Sequence, residues 1–111
     1  MSEEVLTLEM FHSSTFADGA VRVEMDGILH IGPKGFFILF SHEKIKIPII
    51  EEGIVRRLLH AVPCYLGGEN LYRDTVRVVA TLQKMDGRVK IRTIESGVLT
   101  REEEEEEIYA F

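Results

Sequence analysis

The clearest structural signal in the chain is the stretch Val21-Arg22-Val23-Glu24-Met25-Asp26-Gly27-Ile28-Leu29-His30-Ile31, because its apolar side chains recur at every second position. This spacing predicts a β-strand with one buried face. The predicted buried face carries Val21, Val23, Met25, Leu29 and Ile31. Gly27 leaves a gap in that row, and a glycine in a long strand often marks the bend that a small barrel needs. We therefore expect a long, bent first strand.

The same alternation predicts further strands at residues 44–49, 75–82 and 89–99. Residues 36–40 are apolar at every position, which predicts a strand that is covered on both faces or carries a binding surface. Residues 51–62 instead have apolar side chains three and four apart, which predicts an amphipathic helix that ends at Pro63. Strong turn signals stand at residues 32–35 and at Asp86-Gly87. Ile94 is out of step with Ile91, which predicts a β-bulge near Arg92 or Thr93.

Two segments flank this pattern. Residues 5–11 suit an extra N-terminal strand or a short amphipathic helix, and the spacing favours neither. Residues 102–111 join six consecutive glutamates to an apolar tip. The 111 residues match one domain, so we predict a domain over residues 1–101, with a lead-in segment at 1–18 and an acidic tail at 102–111.

The composition predicts a cytoplasmic protein. Cys64 is the single cysteine, so the chain cannot form an internal disulfide, and a reducing compartment is expected. The segment Met1-Ser2-Glu3-Glu4 is acidic and has neither the basic start nor the apolar core of a signal peptide. No apolar run reaches the roughly 20 residues that a membrane-spanning helix needs.

The sequence contains no recognisable catalytic or metal-binding motif. The four histidines, His12, His30, His42 and His60, are too scattered for a metal site, and His30 and His60 are predicted to lie at the surface. The Ser41-His42-Glu43 side chains point apart in a turn and do not form a triad. We expect no enzyme activity, no metal and no cofactor.

Charge is distributed unevenly along the chain. The net charge of −6 comes from 19 acidic against 13 basic residues, and residues 102–107 account for six of the acids. Residues 73–101 carry seven Lys and Arg against three Asp and Glu, so a basic third precedes the acidic run. This asymmetry is the strongest sign of function in the sequence, because a basic surface favours an anionic ligand.

Residues 20–100 resemble the oligonucleotide/oligosaccharide-binding (OB) fold superfamily. The resemblance rests on the bent strand with Gly27, the turn at 32–35, the helix at 51–62 and the passage from the Gly67-Gly68 loop into the strand at 74–78. It implies a mostly β protein: a small five-stranded closed barrel with one helix between strands 3 and 4 and room for an extra N-terminal strand.

The resemblance also implies a binding face on the middle strands, rimmed by the turns at 32–35 and 84–88. Single-stranded nucleic acid is the favoured ligand, because cations can follow its phosphates and Phe37 can stack on a base. The implied binding residues are Arg22, Lys34, Phe37, Lys44, Lys46, Arg77, Lys84, Arg88, Lys90 and Arg92. Two alternatives stay open: Phe37 packs against the helix or a partner, and the basic side chains are merely solvated.

The acidic tail is similar in kind to those of single-strand DNA-binding proteins, which recruit partner proteins and compete with DNA. By that resemblance, Ile108, Tyr109 and Phe111 would contact a protein partner, while the glutamates would compete for the basic face. The segment also suits a last strand or helical turn packed on the barrel, or a solvated end without a specific role. The alternative function is a protein-interaction subunit that binds no nucleic acid, and a homodimer is a third option.

Overall fold

The computed structural model describes residues 4–5, 20–40, 42, 45–63, 71–102 and 105–111. These residues are mostly β, with one helix. The strands are β1 (Glu4–Val5), β2 (Ala20–Gly32), β3 (Gly35–Phe40), β4 (Ile45–Pro48), β5 (Tyr72–Met85), β6 (Arg88–Glu102) and β7 (Glu106–Ala110), and the helix α1 is Ile54–Ala61. No helix in this part of the chain is long and apolar enough to cross a bilayer.

One sheet contains all the strands, in the order β4-β3-β2-β5-β6-β7. These six are antiparallel to their neighbours, and β1 pairs in parallel with β2 at Val23 and Glu24. The rest of the predicted lead-in segment, Cys64 and the Gly67-Gly68 loop lie outside the described residues. The turn at Asp86-Gly87 has positive φ at both residues, which confirms the predicted primed hairpin.

The core lies on one face of the sheet. Ile54 and Leu58 of α1 pack against that face, as the predicted helix stripe requires. The helix begins later than the sequence suggests, because Gly53, in the left-handed region at φ 65°, stands before its first turn. Glu51 and Glu52 therefore precede the helix. At its other end Pro63 follows, and the Tyr72 hydroxyl donates to the Val62 carbonyl at 2.6 Å.

Gly27 lies where β3 crosses closest to β2. A Cβ at this position would stand 2.5 Å from the Ile38 side chain and 2.6 Å from the Leu39 carbonyl oxygen. The carbonyl is backbone and cannot move aside without disturbing the β3 pairing. The glycine predicted from the gap in the alternation is therefore needed for close approach of the two strands.

Two bulges interrupt the pairing of β6 with β5. The register skips one residue at Arg92, where the sequence predicts a bulge, and another at Glu95. Ile91, Ile94 and Gly97 have backbone groups that face away from β5, and the two bulges space these residues three apart instead of the usual two. We call this series the open edge of β6.

Three different segments bind the open edge of β6. The Ile50 amide donates to the Ile91 carbonyl at 2.9 Å, beside a single parallel bridge between Ile49 and Ile91. At Gly97, amide and carbonyl both pair with Phe111 at 2.9 Å. Between them, the Glu51 carboxylate accepts from the Ile94 amide, and the Arg57 guanidinium donates to the Ile94 carbonyl, each at 2.6 Å.

The contact between β4 and β6 is one bridge and not a continuous ladder. The sheet is therefore not closed by hydrogen bonds, and the closed barrel expected from the sequence stays a prediction. Side chains from the segment before α1 and from α1 itself occupy part of the edge where a closing strand would pair.

Replacing Gly27 with alanine tests the close approach of β2 and β3. We expect Gly27→Ala to lower the free energy of unfolding by about 1–3 kcal/mol, because the added methyl group meets backbone. Thr93→Ala, at an exposed position of β6, is the control and should change it by less than about 0.5 kcal/mol. Urea denaturation measures both, and equal stability of the two variants would contradict the close approach.

The adjacent glutamates offer a matched test of the open edge of β6. Glu51→Ala leaves the Ile94 amide without its acceptor, so we expect a loss of about 1–3 kcal/mol in the free energy of unfolding. Glu52→Ala removes an exposed carboxylate and should be nearly neutral. Glu51→Gln keeps an acceptor oxygen and should lose less than Glu51→Ala. If both alanine variants unfold at the same urea concentration, the proposed role of Glu51 is wrong.

Candidate nucleic-acid interface

The face of the sheet opposite the core carries a row of side chains that crosses four strands. Arg73 on β5 lies opposite His30 on β2, His30 lies opposite Phe37 on β3, and Phe37 lies opposite Pro48 on β4. Residues directly opposite on neighbouring strands project from the same face. We call these four residues the Phe37 row. It brings together the aromatic ring chosen from the sequence and three residues that sequence reasoning did not select.

Phe37 lies on the outer face, as the resemblance implies, but its ring is not free. It is 7% exposed, and it is absent from the group of apolar residues that form the core. The His30 imidazole stacks on it with ring centroids 4.5 Å apart and planes 12° from parallel. The Lys46 ammonium lies 4.2 Å from the ring centroid, at cation–π distance. Neighbours on both sides thus cover the ring that was expected to be open to a base.

The sequence predicts that His30 lies at the surface, and this prediction is wrong. It is 5% exposed, and within the described part of the chain neither ring nitrogen has a hydrogen-bond partner. Leaving a buried polar group without a partner costs about 1–3 kcal/mol, and such groups are rare in folded proteins. Burial and the nearby charges of Arg73, Lys34 and Lys46 lower the pKa of His30. The imidazole is therefore neutral at pH 7.

Cations reach this site from three different elements. Lys34 is exposed in the turn between β2 and β3, and Lys46 is exposed on β4. Arg73, on β5, also takes part in at least one other polar, ionic or ring interaction. Sequence reasoning missed Arg73 because only the register of β5 against β2 places it beside His30. Lys44 lies outside the described residues.

Arg22 and Arg77 are neutralised by acidic neighbours on the same face. Arg22 donates to the Glu95 carboxylate, with its Nε at 3.1 Å. Arg77 binds Asp26 through two nitrogens at 2.7 and 3.0 Å and lies 3.5 Å from Glu24. The hydrogen bond from Arg77 is the main cause of the lowered pKa of Asp26. Each arginine is thus paired with a carboxylate, and the selection of both as phosphate ligands stays a prediction.

The remaining selected cations lie away from the Phe37 row. Lys84, Arg88 and Arg92 are exposed and Lys90 is half-buried, all on or near the β5–β6 hairpin. That hairpin stands beside Ala20, at the opposite end of β2 from the turn with Lys34. The 13 residues of β2 span on the order of 40 Å along the strand, so the basic residues form two separate groups.

A buried ion pair crosses the core face of the sheet. The Arg101 guanidinium donates to both carboxylate oxygens of Asp74, at 3.0 and 3.3 Å, and both side chains are more than nine-tenths buried. The rings of Tyr72 and Tyr109 lie 5.9 and 5.7 Å from the guanidinium carbon. This pair was not predicted, because only the pairing of β5 with β6 brings the two charged side chains together on the core face.

The acidic tail is the last strand and not a free segment. In the pairing of β6 with β7, Arg101 lies opposite Glu107 and Leu99 lies opposite Tyr109, so β7 extends the sheet beyond β6. Ile108 is 62% exposed, whereas Tyr109 and Phe111 are half-buried. The Phe111 ring lies directly over Gly97, where a Cβ would leave it no room. Of the alternatives that the sequence left open for the acidic tail, the structure shows the packed strand, at Glu106–Ala110.

Within the described residues, no three His, Cys, Asp or Glu side chains come together as metal ligands. Comparison of the chain with protein-family models, with curated proteins and with solved structures finds no match.

The lowered pKa of His30 makes the folded state less stable in acid. Below the ordinary pKa of 6.5, the unfolded chain binds a proton on this imidazole while the folded chain keeps it neutral. The free energy of unfolding therefore falls as the pH falls through this range. We expect urea titrations to show a decrease between about pH 7.5 and about pH 5.5, and a smaller one for His30→Gln. His60→Gln, exposed in α1, is the control, and an equal decrease in all three proteins would contradict the assignment.

Proposed function

We propose that this protein is a non-catalytic binding module of the OB type, and that it binds single-stranded nucleic acid on the outer face around the Phe37 row. The observation that carries the proposal is the convergence of three cations, Lys34, Lys46 and Arg73, around His30. Like charges repel one another, and an anion between them relieves that repulsion. A phosphodiester backbone supplies such anions at regular spacing.

The order of the strands supports an OB-like barrel. β2 pairs with both β3 and β5, α1 stands between β4 and β5, and Ile49 of the β4 segment approaches Ile91 of β6 in parallel. Extending that one bridge would join β4 to β6 and close a five-stranded barrel from β2 to β6. In such barrels the middle strands and the turns beside them bind extended ligands.

Binding on this face requires Lys46 to move. Its ammonium lies over the Phe37 ring, but the side chain is exposed and long enough to turn toward a phosphate. A phosphate that attracts Lys46 would at the same time uncover part of the ring for a base to stack on. Base stacking on an aromatic side chain contributes about 1–3 kcal/mol.

We build the proposed site from fewer residues than the sequence suggested. The proposed site is Lys34, Phe37 and Lys46 together with His30 and Arg73, and it omits Arg22 and Arg77, whose charges are balanced by carboxylates. Lys84, Arg88, Lys90 and Arg92 form a second basic group that a longer strand could reach. We keep this second group as a further contact surface.

The salt dependence of oligonucleotide binding tests the proposal. Fluorescence anisotropy with an oligo(dT) of about 15 nucleotides should show affinity that falls steeply between about 50 and about 200 mM salt. The double variant Lys34→Ala, Lys46→Ala should bind at least about tenfold more weakly, and its salt slope should be shallower by about 1.4, for two lost phosphate contacts. Arg56→Ala, exposed in α1, removes one charge elsewhere and is the control.

Two results would end the proposal: no binding at the lowest salt, or equal affinity of the double variant and the wild type.

The second candidate function, a protein-interaction subunit, is favoured by the exposed apolar side chains beside the edge strand. Ile108 is 62% and Val98 is 42% exposed on the outer face near β7. Docking of a protein there would depend on apolar contact and would respond little to salt.

A further inference from the structure

His30 has an unusual environment for a buried histidine. Its ring is more than nine-tenths buried, and among the described residues both nitrogens lack a hydrogen-bond partner. A neutral imidazole has one N–H donor and one acceptor nitrogen, whereas the protonated ring has two donors. A ligand that accepts hydrogen bonds would satisfy this ring better than the free protein does.

Among the described residues, the charged groups that act on His30 are three basic side chains on the elements around it. Arg73 lies directly across on β5, Lys34 follows in the turn after β2, and Lys46 reaches over from β4. From β3 the neighbour is the apolar Phe37 ring. In the free protein these cations oppose a proton on His30. An anion among them reverses the balance, because its negative charge stabilises the imidazolium.

We propose that nucleic-acid binding at the Phe37 row is coupled to protonation of His30: a phosphodiester oxygen that docks among Lys34, Lys46 and Arg73 accepts a hydrogen bond from the imidazolium. This inference rests on the proposed function and adds its regulation by pH. The proton comes from solvent, so one proton is taken up when the phosphate binds and is released when it leaves.

Proton uptake makes the affinity depend on pH. One linked proton gives up to about a tenfold gain in affinity for each pH unit between the pKa of the bound and of the free imidazole. The protein would therefore bind single-stranded nucleic acid more tightly in mild acid. A neutral His30 that donated its N–H to phosphate would give no such dependence.

The experiment measures oligo(dT) binding at about pH 7.5 and about pH 5.5, at one low ionic strength, for the wild type, His30→Gln and His60→Gln. Thymine does not titrate in this range, so the probe itself stays constant. We expect the wild type and the His60→Gln control to gain at least about tenfold in affinity at the lower pH. The His30→Gln variant should lose that gain, and the ratio of its two affinities is the readout.

A second measurement does not depend on a variant. Histidine resonances of the wild-type protein, followed by NMR against pH, should show that the pKa of His30 rises when oligo(dT) is bound. An unchanged pKa, an affinity independent of pH, or a full gain retained by His30→Gln would each overturn the proton coupling while leaving nucleic-acid binding intact. Absence of oligo(dT) binding at both pH values would overturn the proposed function itself.

Discussion

The rest of the structure depends on how the open edge of β6 finds hydrogen-bond partners. Ile91, Ile94 and Gly97 present backbone groups on the side of β6 away from β5, the bulges at Arg92 and Glu95 space them three residues apart, and buried amides and carbonyls need partners. The segment after β4, the Glu51 and Arg57 side chains and the carboxy-terminal Phe111 each satisfy one position. The positions of the helix, of β4 and of the last strand therefore follow from one edge.

The charge on the outer face differs from one region to the next, so the net charge of the chain describes it poorly. Around Arg22 and Arg77, carboxylates lie within ion-pair distance, and the surface there is close to neutral. Around His30, the described charged groups that act on the imidazole are Arg73, Lys34 and Lys46, and within the described residues neither ring nitrogen has a hydrogen-bond partner. The chain is acidic overall, yet it has a small positive site whose strength comes from position and burial.

Much of the fold could be predicted from local patterns. The alternation of β2, the hairpin at Asp86-Gly87 and the bulge at Arg92 each depend on neighbouring residues only, and all three appear in the structure. The site was predicted less completely. Phe37 was placed on the correct face, but its covering by His30 and Lys46 depends on cross-strand register, which residues far apart in sequence decide together.

Local patterns were enough to predict most of the strands, the turns and the apolar side chains that face the core, because these follow from the two-residue period of a strand and from turn chemistry. Only the tertiary structure decided that His30 is buried, that Arg73 joins it, that Asp74 and Arg101 pair inside, and that the acidic end is a strand. The physical reason is that burial and pairing are properties of two segments in contact, and no single segment encodes its partner's register.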